Sequence, residues 1–149
     1  MSNSRKVGRP EKLSFFDFRY LITAIIELAL ARIRFAATPA QEVVRSLEKR
    51  SRSTNCKLNA DESSLDLHCI SWAIEAASAR VPWRSDCLIQ AMAADRWLYR
   101  HGLAGDFYLG VNQNPSEPFT AHAWMRCSGI TVTGGTCDKY LALIEPPTN

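Results

Sequence analysis

An α+β fold, helices first and an antiparallel sheet last, follows from three features of this 149-residue chain. Apolar residues recur at helical spacing up to His101, alternating β-branched and aromatic runs take over from Asp106, and Gly and Pro residues fall between the periodic segments. Ser14 can cap a helix over residues 15–37, a Leu-, Ile- and Ala-rich run that ends before Pro39. Pro39 then suits the first turn of a second helix, in which Val43, Val44 and Leu47 are inward and Glu42, Glu48 and Lys49 outward.

Residues 50–62 are polar and aperiodic and read as a linker. A third helix over 64–79 presents Leu67, Ile70, Ile74 and Ala77 on one face, leaves His68 at the surface and is closed by Pro82. Ser85 is the predicted N-cap of a fourth helix that ends at Gly102. Strands follow at 107–111, 121–127, 130–132 and 140–144, with Ser128-Gly129 as a hairpin turn and a polar loop over 112–118.

The length and the 46% hydrophobic content suit one domain with one core. Charge is unevenly placed: twelve Lys/Arg face five Asp/Glu up to Ala60, and six face ten beyond it. The basic half invites an acidic partner or an anionic surface, but no nucleic-acid-binding signature accompanies it, so no nucleic acid is expected. Residues 1–13 lack the apolar core of a secretory signal and read as a disordered basic lead-in.

Five cysteines, an odd number without short-range ligand pairs, indicate reduced thiols in a cytoplasmic protein, with neither disulfides nor a metal. Residues 21–37 are the most apolar stretch, interrupted by Glu27, Arg32 and Arg34. A span needs about 20 predominantly apolar residues, and each central charge costs about 2.5–3.5 kcal/mol, so a buried helix is expected. Arg19, Arg32 and Arg34 leave room for peripheral membrane contact.

Chemistry concentrates at Cys87 and His122. A thiol in the first turn of a helix gains thiolate character from the helix dipole, and free amides there can hold an oxyanion. His122, 35 residues later on a strand, is the candidate base. Taken singly, Cys87 reads first as a small buried hydrophobe and His122 as a hydrogen-bonded core histidine; it is their combination that points to chemistry. Gln90, Trp83 and Trp124 lie nearby in sequence without an assigned role, and Cys127, five residues past His122, falls on the opposite strand face.

The string Pro82-Trp83-Arg84-Ser85-Asp86-Cys87-Leu88-Ile89-Gln90-Ala91, followed by Leu109-Gly110-Val111, Ala121-His122-Ala123-Trp124 and Val132-Thr133-Gly134-Gly135, resembles the stand-alone B proteins of lasso-peptide maturation. These are leader peptidases of the transglutaminase-like cysteine protease superfamily. The resemblance implies a catalytic helix packed on a small antiparallel sheet, with a basic lead-in over 1–13, a helical segment and linker over 14–62 and the peptidase core over 63–149. It implies Cys87 as nucleophile and His122 as base and then acid, without a cofactor.

Superfamily triads orient the histidine with an acidic residue on the next strand, where residues 130–135 offer no carboxylate. Asp138 is the nearest downstream substitute; a backbone carbonyl or Thr133 would serve equally as orienter. The implied partners are a precursor peptide, a separate leader-recognition protein, because 149 residues leave no room for a fused one, and an ATP-dependent macrolactam synthetase. A non-catalytic peptide-binding scaffold and an acyl transferase of the same superfamily are the competing readings.

Overall fold

A computed structural model describes residues 14–53 and 62–146. The lead-in expected over residues 1–13, Cys56 and most of the expected linker lie outside them. Four helices, α1 (Phe15–Ala37), α2 (Ala40–Ser53), α3 (Glu62–Ser78) and α4 (Cys87–Arg100), precede strands β1 (Asp106–Asn112), β2 (Ala121–Cys127), β3 (Ile130–Thr133) and β4 (Tyr140–Ile144). This is the α+β order anticipated, with helix boundaries displaced by one or two residues at several ends. The expected linker is corrected at its start, because α2 continues through Ser53 and buries Ser51, whose hydroxyl accepts the Phe107 amide.

The sheet runs β3-β2-β1-β4, antiparallel throughout. Alternation along β2 sends Ala123, Met125 and Cys127 into the helical core, while His122 and Trp124 occupy the other face. The pairing places Gly110 opposite His122 and Tyr108 opposite Trp124. A Cβ at Gly110 would press on the Leu141 carbonyl and the Trp124 ring, so the missing side chain makes room for the indole.

Leu67, Ile70, Ala73, Ile74 and Ala77 of α3 join Ile89, Met92 and Leu98 of α4 beneath the sheet, with Ala24, Leu28 and Ala31 of α1 closing the far side. The expected inward face of α3 is therefore fully realised, and His68 is exposed. α4 ends as its sequence indicates: Gly102 takes φ 71°, and the Leu103 amide returns to the Leu98 carbonyl at 2.9 Å.

Two departures matter for function. The expectation of a buried first helix is corrected: α1 buries only the strip around Ala24, Glu27, Leu28 and Ala31 and leaves Phe15, Phe18 and Ile33 more than half exposed. One neighbouring layer can cover only one side of a helix. The second departure is Glu27, whose fully buried carboxylate is held by Arg100 Nη1 at 2.7 Å and Arg96 Nε at 2.9 Å, both from α4.

A second charged tie, Arg50 Nη1 to Asp95 at 2.7 Å, links α2 to α4. Burial pushes the Asp95 carboxyl above its usual range, opposed by the charges of Arg50 and Arg34.

Removing both arginines around Glu27 strands a buried carboxylate, whereas neutralising Glu27 leaves two half-exposed guanidinium groups that water can serve. The Arg96→Ala/Arg100→Ala double variant should lose about 3–5 kcal/mol, and Glu27→Gln distinctly less. Urea unfolding of the three proteins checks the order; equal losses would count against the ion pair as the anchor.

Candidate active site

α4 starts at Cys87 because Pro82, Trp83, Arg84 and Ser85 hold an irregular turn that Asp86 ends in extended conformation, with its carbonyl taking the Gln90 amide at 2.9 Å. The N-cap is therefore Asp86, correcting the assignment to Ser85. The Ser85 hydroxyl is buried without a hydrogen-bond partner among the described residues, and its carbonyl instead accepts from Gln90 Nε2 at 2.8 Å. Gln90 thus laces the turn before the thiol to the first turn of the helix.

The Asp86 side chain does not cap its own helix; it turns out to Arg84, 3.3 Å away. The first-turn amides of α4 consequently carry no side-chain cap, and the partial positive charge of the helix end is directed at the half-buried Cys87. Such amides can donate to an oxyanion formed on a carbonyl under attack by the thiol.

His122 is held from three sides. Its Nε2–H donates to the Gly134 carbonyl at 2.7 Å, which leaves the Nδ1 lone pair as the basic one. Its ring stacks on Tyr140 at 4.7 Å between centroids and on Trp124 at 6.0 Å. Trp124 in turn lies flat on Tyr108, 5.4 Å away with the planes 3° apart, so β1, β2 and β4 together form an aromatic platform behind the imidazole.

Gly134 belongs to the turn after β3. With φ 101° it adopts a conformation reserved for glycine, and a Cβ there would collide with the Trp124 side chain. The close approach of this backbone to Trp124 is what brings the carbonyl onto His122. Cys137 braces the turn: its thiol donates to the Gly135 carbonyl at 3.3 Å and lies 3.9 Å from that of Gly134. Burial, then the neighbouring Asp138 charge, pushes this thiol above the ordinary range, against the pull of Arg126.

Cys87 and His122 line one cleft of about 400 Å³ between α3 and the edge strand β3, together with Gln90, Glu75, Thr133 and Gly134. Among the described residues no hydrogen bond joins the thiol to the imidazole. Asp138 is exposed in the turn before β4 and is not a lining residue. The group on His122 is the Gly134 carbonyl, one of the orienters the sequence left open.

Thr133, the other orienter considered, is buried in the cleft wall, and its hydroxyl has no hydrogen-bond partner among the described residues. Sequence reasoning offered a backbone carbonyl without assigning it to Gly134, and it missed Tyr140 and the cleft-lining Glu75. Gly134-Gly135 was a signal for that position, since paired glycines mark a turn with special backbone angles. Nothing local distinguishes Tyr140 from a core residue or Glu75 from any helix-surface carboxylate.

Gly134→Ala should destabilise the protein by about 1–3 kcal/mol, through positive φ and the clash with Trp124, and should lower any His122-dependent activity further than stability explains. Thermal unfolding and an activity assay at a temperature where the variant is folded separate the two effects.

A model of the transglutaminase-like superfamily matches residues 27–144, while no curated protein and no solved structure matches the chain. The matched span opens at the buried Glu27 and closes on the last residue of β4, so it takes in the ion-pair anchor, the thiol-bearing helix and the entire sheet. By a match of that extent, over a helix-on-sheet core of this form, the chain belongs to the transglutaminase-like superfamily.

Proposed function

We propose that this protein is a cysteine peptidase that removes the leader from a ribosomally made lasso precursor peptide, before macrolactam formation by a partner ATP-dependent synthetase. The observation that carries the reading is that Cys87, at an uncapped helix start, and His122, oriented by a backbone carbonyl, line one cleft. The order of motifs around both residues, which resembles the stand-alone leader peptidases, supplies the substrate class. A separate recognition protein would present the leader.

In this reaction Nδ1 of His122 takes the Cys87 thiol proton, the sulfur attacks the scissile carbonyl, and the first-turn amides of α4 take the oxyanion. The imidazolium of His122 gives its proton to the leaving amine, which becomes the new N-terminus of the core peptide. Water, deprotonated by His122, then hydrolyses the thioester and frees the leader acid. The Gly134 carbonyl keeps Nε2–H directed away from the reacting atoms, and the aromatic platform limits rotation of the ring.

Precursor peptide, a recognition partner and purified protein, followed by mass spectrometry, test the reading. Leader release should disappear in Cys87→Ala and in His122→Ala. Undiminished release by Cys87→Ala would remove the thiol mechanism, and a wild type that binds precursor without cutting it would favour a scaffold. Transfer of the leader acyl group to an added amine in preference to water would instead identify an acyl transferase.

Asp138→Asn separates the two candidate orienters. With the carbonyl in that role, cleavage should stay within about twofold of wild type, whereas loss of a true triad carboxylate costs up to about 10⁴ in kcat. The same substitution removes a charge that raises the Cys137 pKa, so alkylation of Cys137 near pH 8 should become faster. Peptide mapping after timed iodoacetamide treatment reads that rate site by site.

A further inference from the structure

The outer side of α1 is unlike that of an ordinary surface helix. Phe15, Phe18, Ile22, Ile25, Ile26 and Ile33 are between 42% and 76% exposed. At about 100° per residue they fall on one side of the helix, opposite the strip that buries Ala24, Leu28 and Ala31. The stripe extends from Phe15 to Ile33, about 27 Å at 1.5 Å per residue. Scattered apolar residues need no explanation, but a continuous apolar face of this length does.

Charge selects the occupant. Arg19 and Arg32 lie beside the stripe, whereas both carboxylates of α1, Asp17 and Glu27, fall on the opposite half, and Glu27 is already neutralised by two arginines. Beside the stripe, a groove of about 380 Å³ between α1 and the end of α4 is lined by Arg19, Arg100 and His101 and by no carboxylate. In sequence, Arg5, Lys6, Arg9 and Lys12 come shortly before the phenylalanines that begin the helix.

From these features we propose that α1 is an in-plane membrane-docking helix for a bilayer surface of anionic phospholipid. Its aromatic and aliphatic stripe enters the headgroup and acyl boundary, and the arginines at its margins meet lipid phosphates. The helix does not cross: no helix among the described residues is long and apolar enough to span a membrane. A polybasic run combined with an apolar face supplies the two signals that stable surface anchoring requires. The inference is independent of the reaction proposed for Cys87.

Flotation of the full-length protein with phosphatidylcholine vesicles, with and without phosphatidylglycerol, tests it. Retention is expected on the anionic vesicles only, and it should weaken as salt is raised. Ile22→Ser/Ile26→Ser should lower retention by about tenfold or more. Arg19→Glu should lower it while leaving the fold, read by circular dichroism and thermal unfolding, intact.

Absence of retention, or equal retention on neutral vesicles, would overturn the proposal. So would light scattering that shows a dimer dissolved by Ile22→Ser/Ile26→Ser without vesicle binding, an outcome that assigns the face to a second copy of the chain.

Discussion

The buried carboxylate of Glu27 is the constraint on which the arrangement turns. An ionised group removed from water must be matched by charge and hydrogen bonds, and here both matches come from one helix, through Arg96 and Arg100 of α4. The pair fixes the rotation and axial position of α4 against α1 more narrowly than apolar packing would, because side chains such as Leu28, Leu98 and Ile89 tolerate sliding. With α4 fixed at its C-terminal end, its N-terminal end, where Cys87 sits, is delivered to the edge of the sheet.

At that edge the site is assembled from backbone as much as from side chains. The uncapped amides of α4 and the Gly134 carbonyl are main-chain groups, and each is usable because a neighbouring side chain has been kept out of the way. Asp86 turns out to Arg84, and Gly134 has no Cβ to hold it off Trp124. Tyr108, Trp124 and Tyr140 then restrict the imidazole by stacking, which leaves its hydrogen bond to Gly134 as the orienting contact.

The two sides of α1 divide its duties. Its inner side anchors α4, and its outer side presents a long apolar stripe edged by arginine. In sequence these cannot be told apart, since a helix apolar all round reads the same whether a second layer of protein or another medium covers its outer side.

Local rules determined a large part of this protein from its sequence. Periodicity gave four helices and four strands, Gly102 and Pro39 marked ends that the structure keeps, and the strand alternation around His122 correctly separated it and Trp124 from Cys127. Cys87 and His122 could be singled out as candidates because the chemistry of a thiol and an imidazole depends on residue type and on the element that carries them, and the structure places both on one cleft. What only the tertiary structure decided depends on groups distant in sequence: the Glu27 partners 69 and 73 residues away, the covered side of α1, and the backbone carbonyl that meets His122. A carbonyl belongs to every residue and leaves no trace in composition, and a burial partner is chosen by packing geometry, so neither can be read from the chain before it folds.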